Sequence, residues 1–255
     1  LGGLCREAVP VAHMVGLMDD AQAVDEAAAA VADGLCALQI KGGVDAVRDV
    51  RLIGRLRADL GDHVLLRLDA NQGYRDAKTG MRIVAQLAEA GANYVEQPVM
   101  GLRAMAEVTA SSDLPIIADE SCWDVHDALE VVADRSADCL SIYLAKAGGF
   151  IGARKVAAVA EASLMACDIN GSIESAVGNA ANVHFALATP CVSLAAVIPI
   201  SAPAGTHPLR VGGAYYLDDL CTAPFRVKDG AILPLDGAGL GIEVDERALQ
   251  RLRCD

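Results

Sequence analysis

The chain reads Leu66-Arg-Leu-Asp-Ala-Asn-Gln72, then Tyr94-Val-Glu-Gln-Pro98, then Ile116-Ile-Ala-Asp-Glu-Ser121. Each segment is a short apolar run that ends in an acidic residue, and these residues are Asp69, Glu96 and Asp119. The acids lie 27 and 23 residues apart, and each interval is about the length of one strand–helix unit. In a parallel β/α barrel the carboxyl ends of the strands meet at one face. The spacing therefore predicts three carboxylates that project from consecutive strands toward one point.

The pattern around these segments predicts an α/β fold with a parallel barrel. Short apolar runs rich in β-branched residues alternate with Ala-rich helical patterns, which is typical of a parallel sheet with crossover helices. Eight predicted strands fit a closed barrel, and they are Val9–Met14, Cys36–Lys41, Val64–Asp69, Tyr94–Glu96, Pro115–Ala118, Cys139–Tyr143, Leu164–Asp168 and Val192–Val197. The predicted helices between them include Ala21–Ala32, Ala46–Leu60, Met81–Ala90, Val125–Ala133, Ala153–Ala162 and Ala180–Ala188.

Beyond the last predicted strand the pattern changes. Phe225–Lys228 and Ala231–Leu235 flank Asp229-Gly230 as a predicted hairpin. Residues that break the helix and strand periods precede this hairpin, and they are Pro203, Gly205, Pro208, Gly212 and Gly213. We therefore predict a barrel domain over residues 1–200 and a C-terminal tail over residues 201–255 that packs on it.

The composition of the 255-residue chain argues against several classes of protein. A formal net charge of −13 disfavours a nucleic-acid partner, because such binding needs clustered Lys and Arg. We expect no membrane partner, since no stretch approaches the roughly 20 apolar residues of a membrane span. The eight cysteines form no Cys-x-x-Cys pair, and we expect small buried side chains in a reducing cytoplasm. They are Cys5, Cys36, Cys122, Cys139, Cys167, Cys191, Cys221 and Cys254.

The three strand-end acids predict a metal site. Three converging carboxylates cannot all stay ionised without a cation between them. Oxygen ligands with no nearby Cys or His pattern favour Mg²⁺ over Zn²⁺. Asp69, Glu96 and Asp119 are therefore the predicted Mg²⁺ ligands. In the alternative interpretation, each acid caps the helix that follows its strand.

A lysine ends the second predicted strand. Strand alternation points Gln39 and Lys41 to the same side, into the barrel. Lys41 then faces the predicted cation, and proximity to that cation and partial burial should both lower its pKa. A lysine with a lowered pKa is a candidate general base. The alternative is a solvated lysine at a strand end.

Five motifs resemble the muconate-lactonizing subgroup of the enolase superfamily, over about Val9 to Glu246. They are Asp-Ala-Asn-Gln at 69–72, Glu-Gln-Pro at 96–98, Ala-Asp-Glu-Ser at 118–121, Ala-Lys-Ala-Gly-Gly at 145–149 and Gly-Ser-Ile-Glu-Ser at 171–175. The resemblance implies a modified TIM barrel of the (β/α)₇β type. It also implies a Mg²⁺-dependent isomerase or lyase that abstracts the proton alpha to a carboxylate and forms a metal-stabilised enediolate.

Two positions depart from the subgroup's pattern. The subgroup usually has Lys-x-Lys on the second strand, where this chain has Gln39 and Lys41. At the end of the sixth strand the family usually has a lysine, and Tyr143 stands there, 24 residues after Asp119. Lys146 matches the family's second, non-catalytic lysine. A tyrosine with an unperturbed pKa near 10 can donate a proton but is a poor base at neutral pH.

These departures leave three hypotheses open. With Lys41 as the one good base, a dehydratase or cycloisomerase acting on a small carboxylic acid is favoured. A racemase or epimerase would use Tyr143 as the acid on the second face of the substrate. A metal-binding protein that has lost its catalytic set is the third hypothesis.

Further polar residues are candidates for the site. Asp168, Asn170 and Ser172 are predicted to bind substrate, as is Gln39. Glu174 matches a glutamate that the family often holds near the active site, and is a third catalytic candidate with Lys41 and Tyr143. The alternative is that 172–175 only cap a helix that begins at Ser172. Asn71 and Glu120 are predicted to orient the metal-binding carboxylates.

The family also carries an N-terminal α+β capping domain that closes over the barrel mouth. This sequence opens at Leu1-Gly-Gly, which looks like the family's linker into the barrel, so we expect the capping domain to be absent from this chain. The tail is expected to pack on such a domain as well as on the barrel. We further expect a homo-oligomer.

Overall fold

The computed structural model of the chain describes residues 1–203 and 218–253. In chain order the elements are β1 (Val9–Pro10), β2 (Ala12–Val15), α1 (Asp20–Ala32), β3 (Ala37–Lys41), α2 (Ala46–Leu60), β4 (Leu65–Asp69), α3 (Ala77–Glu89), β5 (Tyr94–Glu96), α4 (Leu102–Ser111), β6 (Ile116–Ala118), α5 (Val125–Asp134), β7 (Cys139–Ile142), α6 (Phe150–Ala162), β8 (Ala166–Ile169), α7 (Ala176–Ala188), β9 (Val227–Lys228), β10 (Ala231–Ile232) and α8 (Glu246–Arg251).

Seven parallel strands, β2 to β8, form one sheet in sequence order. A helix follows each of them, so the chain repeats the strand–helix unit seven times. The register aligns Lys41 with Asp69 and Asp69 with Glu96. The predicted α/β barrel is thereby confirmed, and its strand-end acids lie at one level of the sheet.

The eighth predicted strand, Val192–Val197, is not a regular strand in the structure. Only isolated parallel bridges join Val11 to Ala196 and Cys167 to Val192. The segment nevertheless completes the ring of hydrogen bonds, because the Val197 amide donates to the Ile169 carbonyl of β8 and the Ala12 amide of β2 donates to the Ala196 carbonyl. The prediction was right about the segment's place in the barrel and wrong about its regularity.

The first predicted strand, Val9–Met14, is divided between two sheets. Val9 and Pro10 form β1, which pairs antiparallel with β10, whereas β2 pairs parallel with β3. The predicted hairpin is confirmed, since β9 and β10 pair antiparallel across Asp229-Gly230, both with positive φ. The tail therefore contacts the barrel through β1. Four residues of the predicted breaker segment lie outside the described residues: Gly205, Pro208, Gly212 and Gly213.

Aspartate side chains fix where several helices begin. Asp19, Asp45, Asp76 and Asp124 each stand at the N-cap and accept hydrogen bonds from backbone amides of the first turn. Such caps satisfy donors that the helix itself leaves unpaired. None of these caps is one of the three strand-end acids, and this leaves the acids free for other contacts.

The strands alternate between an apolar and a polar side. Along β4, Leu66 and Leu68 are fully buried in the hydrophobic core, whereas the alternate residues Arg67 and Asp69 contact polar side chains of other strands. The inside of the barrel is therefore polar at this level, and its outer side packs against the helices.

Two structural properties bear on expected partners and chemistry. Within residues 1–203 and 218–253, no helix has the length and apolar character needed to cross a membrane.

The seven described cysteines are free thiols, but Cys5 and Cys36 are exposed, which corrects the expectation that all the cysteines are buried. Cys254 lies outside the described residues.

Candidate active site

The three predicted metal-binding acids lie side by side at the carboxyl edge of the sheet. Asp69 and Glu96 are the last residues of β4 and β5, and Asp119 directly follows β6. All three carboxylates are buried. The β-strand alternation that places their apolar neighbours in the core thus turns these three acids inward together.

One amide joins two of these carboxylates. The Gln39 Nε2 group donates to Asp69 Oδ2 at 2.9 Å and to Glu96 Oε2 at 3.1 Å. Burial raises the pKa of Glu96 well above its usual range, and the negative charges of Asp69 and Asp119 raise it further, against the effect of Arg67. Glu96 therefore lies where an additional positive charge would favour its ionised form.

Each of the three acids has a basic partner in the structure. Lys41 Nζ lies 2.5 Å from Asp69 Oδ2, Arg67 Nη1 lies 3.2 Å from Glu96 Oε2, and Lys146 Nζ lies 2.6 Å from Asp119 Oδ1. Among the described residues, no three His, Cys, Asp or Glu side chains are arranged as a ready metal-binding group. The chemistry of the donor set still fits a hard divalent cation, because it consists of three neighbouring carboxylates and the charges of Asp69 and Asp119 raise the pKa of Glu96.

The carboxylates around Lys41 raise its pKa in the structure. Burial lowers it, but the negative charge and hydrogen bond of Asp69, together with the charges of Glu96 and Asp119, outweigh burial and raise it. Lys41 Nζ also donates to Asn71 Oδ1 at 3.1 Å. The fall predicted from proximity to a bound cation concerns the metal-loaded site and stays a prediction, because here the carboxylates are the nearest charges.

Tyr143 directly follows β7, and its hydroxyl is directed at one of the acids. This hydroxyl donates to Asp119 Oδ2 at 3.0 Å. Burial and then the charge of Asp119 raise the pKa of Tyr143. Lys146 Nζ lies 4.1 Å from the centre of the Tyr143 ring and donates to the carbonyls of Asp119 and Ser141. Both side chains are thereby directed to Asp119.

Arg67 is a buried residue of the barrel interior that the sequence analysis did not select. Its Nη1 group contacts Glu96 and Asp168, and its Nη2 group donates to the Ala195 carbonyl at 3.0 Å. Strand alternation could have identified it, because Arg67 stands two residues before Asp69 on the same side of β4. Asp168, a predicted substrate-binding residue, is fully buried against this arginine.

The other candidates on the last strand–helix unit occupy different places. Asn170 Nδ2 donates to Glu96 Oε1 at 3.3 Å, so Asn170 joins the carboxylate group. Ser172 is exposed, and Glu174 is half-buried. The helix α7 begins at Ala176, four residues before the predicted helix Ala180–Ala188 and four residues after the alternative start at Ser172. Asp219 Oδ1 accepts the hydrogen bond of the Ala176 amide at 2.6 Å.

Two polar residues connect the loops that follow β4, β5 and β6. Asn71 Nδ2 donates to Glu120 Oε1 at 3.1 Å. Gln97 Oε1 accepts from the amides of Asp119 and Ser121 at 3.0 and 3.1 Å. Gln97 was not selected from the sequence, although it is in the Glu-Gln-Pro motif, and it ties Asp119 to the loop after Glu96.

Known proteins resemble this chain over nearly its whole length. A family model described as enolase C-terminal domain-like matches residues 22–248. The chain is 28% identical over 258 residues to N-succinyl-L-Arg/Lys racemase of Bacillus cereus, and the match covers 99% of the chain and 65% of that protein. It is 32% identical over 258 residues to muconate cycloisomerase 1 of Rhodococcus opacus, with 98% and 65% covered.

A solved structure agrees with these matches. The 2-chloromuconate cycloisomerase of Rhodococcus opacus 1CP has a TM-score of 0.88 and 26% identity, with 100% of this chain and 66% of that chain covered. The chain spans about 65% of the length of the two curated relatives named above.

Proposed function

Because this chain belongs to the enolase superfamily, through its enolase C-terminal domain-like family, we propose that it carries the catalytic centre of an enzyme. The reaction is removal of the proton alpha to the carboxylate of a small acid. The observation that carries this proposal is the position of Lys41. Its amine lies beside Asp69, in register with the carboxylates at the ends of neighbouring strands.

Each group has a distinct part in this proposal. Lys41 would accept the substrate's α-proton at Nζ, as a positioned general base does. A cation held by the acids would offset the carboxylate charges that raise the pKa of Lys41 in the structure. Gln39 holds Asp69 and Glu96 next to each other by its shared amide. These two acids and Asp119 would hold Mg²⁺, which when bound supplies positive charge for the negative charge that develops on the substrate carboxylate.

The contacts on the opposite side favour a reaction that uses one base. The Tyr143 hydroxyl donates to Asp119, and Lys146 is bound to Asp119 and to the Ser141 carbonyl. Burial and the charge of Asp119 raise the pKa of Tyr143, which disfavours it as a base on a second face. This supports an elimination or a cycloisomerisation over a racemisation. The alternative, a racemase or epimerase that uses Tyr143 as its second acid, is favoured by the name of the racemase relative.

The substrate is proposed to be a small carboxylic acid. The relatives' names suggest two classes of acid to try, muconates and N-succinyl amino acids. Solvent deuterium incorporation at the α-carbon, followed by NMR in D₂O, tests the proposal with such a panel. Exchange with at least one acid is expected, and no exchange with any acid in the presence of Mg²⁺ would favour a chain that binds metal without catalysis.

We also propose how the chain is divided into a domain and a tail, and in which compartment it works. Residues 1–200 form the catalytic barrel domain, and residues 201–255 form a tail that packs on it through contacts such as the β1–β10 pairing. The free thiols of the described residues suit a reducing cytoplasm. A homo-oligomer remains our expectation.

Mg²⁺ is expected to stabilise the folded chain. At about 100 times its dissociation constant, one bound ion adds roughly 2.7 kcal/mol to the free energy of unfolding. Thermal melting with and without Mg²⁺ measures the effect. The variant Asp119→Asn should lose most of it, whereas Asp138→Asn, at the opposite end of the barrel before β7, should keep it. An unmoved melting curve, with Asp119→Asn like the wild type, would rule out this site.

Tyr143→Phe is expected to slow turnover and to leave α-proton exchange detectable. The variant removes a hydrogen-bond donor to Asp119 but leaves Lys41 in place. A positioned acid typically contributes about 10² to 10⁴ in rate, and we expect an effect at the lower end. Single-turnover rates and deuterium incorporation, measured on the acid that exchanges, separate the two quantities. Loss of exchange in this variant would argue for the racemase alternative.

A further inference from the structure

The helix α2 carries a carboxylate on its buried side. Asp49 is 1% exposed, and the other buried residues of this helix are Leu52, Ile53, Leu56 and Leu60. Burial raises the pKa of Asp49, while the hydrogen bonds from Gly43 and Tyr74 lower it. Arg48 Nη1 lies 3.8 Å from Asp49 Oδ1 and partly offsets the charge of this buried carboxylate.

The Asp49 carboxylate joins two loops of the barrel mouth. Its Oδ2 atom accepts from the Gly43 amide at 2.8 Å, in the loop after β3. The same atom accepts from the Tyr74 hydroxyl at 3.0 Å, in the loop after β4. Oδ1 has no hydrogen-bond partner in the described part of the chain. One oxygen atom therefore holds both loops.

The two loops touch through backbone. Gly43 has a φ of +85°, and a Cβ there would collide with the Ala70 carbonyl. A Cβ on Gly73 would collide with the backbone of Gly43. The Gly42 amide also donates to the Asp69 carbonyl at 2.8 Å. Only glycine permits this close approach of the two backbones, and the contact fixes the position of one loop relative to the other.

These loops begin at residues of the candidate active site. Lys41 immediately precedes Gly42, and its amine contacts Asp69 and Asn71 across the gap between the loops. We propose that Asp49 is a positioning residue that, through Gly43 and Tyr74, holds the Lys41 amine against Asp69 and Asn71. The catalytic consequence rests on the proposed function of Lys41, whereas the position of the amine can be measured without turnover.

The first experiment observes Lys41 directly. The 255-residue chain is labelled with [ε-¹³C]lysine, which gives one NMR signal for each of its five lysines, and Lys41→Arg assigns the signal of interest. Asp49→Ala is expected to shift the Lys41 signal and to leave the other four in place. The Gly43 amide should exchange with solvent about tenfold faster, because it loses its hydrogen bond.

Two further variants separate positioning from general damage. Asp49→Asn keeps a carbonyl oxygen that can accept both hydrogen bonds, so it is expected to restore the Lys41 signal toward its original position. Asp138→Ala is the matched control, because Asp138 Oδ2 also accepts a backbone amide, that of Ile116, at the opposite end of the barrel. The control should leave the Lys41 signal and the Gly43 exchange rate unchanged.

The outcomes are distinct from those for the proposed function. If Asp49→Ala does not fold, Tyr74→Phe carries the test, with a smaller shift expected because one of the two hydrogen bonds remains. A Lys41 signal that stays in place in the folded variants would overturn the positioning role, as would equal shifts of all five lysines. A shifted signal in a chain that exchanges no α-proton would support the positioning role while the proposed function fails.

Discussion

Lys41→Ala is expected to abolish exchange of the α-proton with solvent on any acid that the wild-type chain exchanges. Lys41 is the last residue of β3, and its Nζ lies 2.5 Å from the carboxylate of Asp69. A positioned general base contributes roughly 10² to 10⁴ in rate, so the residual exchange should fall by at least that factor. Deuterium incorporation measured by NMR in D₂O follows this step without depending on the final product.

The control for this variant is Lys155→Ala, which removes an exposed lysine of α6 and should exchange at the wild-type rate. Melting of both variants shows whether a loss of exchange reflects a loss of fold. Exchange that survives in Lys41→Ala and vanishes in Tyr143→Phe would place the base on the strand before Tyr143. That result would exclude Lys41 as the general base and support a racemase.

The strands and their acids were largely predictable because they depend on local patterns. β5 matches its predicted range, and β3 and β4 begin one residue later than predicted. Their apolar runs are short and end in polar residues, so the hydrophobic pattern and the polar residue indicate the same strand end. The predicted strand Leu164–Asp168 is observed as Ala166–Ile169, because Leu164 has a φ of +58° and lies 94% exposed in the turn before it.

Helix starts were hard to predict where the cap is not a local side chain, although α3, capped by Asp76, also begins at Ala77, four residues before its predicted start. α4 was not among the helices given bounds from the sequence, and it begins after Gly101, which has no side chain to cap it. α7 begins at Ala176, where Asp219 from the tail accepts the amide hydrogen bond. No pattern near residue 176 shows that an acid 43 residues later supplies this contact. Such starts require the tertiary structure.

Some features of the site were likewise predictable from the sequence and others were not. The order of the acids follows from one strand–helix repeat, but their partners do not. The shared amide of Gln39, the tie from Gln97 to Asp119 and the ion pair of Arg67 with Asp168 join residues 22 to 101 positions apart. The lowered pKa predicted for Lys41 supposes a bound cation, whereas the three carboxylates around the amine raise the pKa in the structure.

Arg67, Glu96 and Asp168 form a buried cluster of charged side chains in the site. Arg67 is 5% exposed, and Glu96 and Asp168 are fully buried. Burial opposes the charge of the guanidinium, but Asp168 and Glu96 together outweigh it and raise the pKa of Arg67, so it stays charged. Burial also raises the pKa of Asp168, against the effect of Arg67. Each carboxylate therefore depends on this one cation.

Arg67→Met is expected to lower the free energy of unfolding by about 3–5 kcal/mol, because it leaves two buried carboxylates without their cation. Urea unfolding measures the loss. Arg51→Met is the matched control, since Arg51 is 61% exposed and pairs with Asp20 at 2.9 Å on the surface, where a pair contributes about 0–1 kcal/mol. Adding Asp168→Asn to Arg67→Met should recover part of the loss by removing one of the uncompensated charges. Equal, small losses for Arg67→Met and Arg51→Met would show that the interior charges are solvated, and that Arg67 does not support the carboxylates of the barrel.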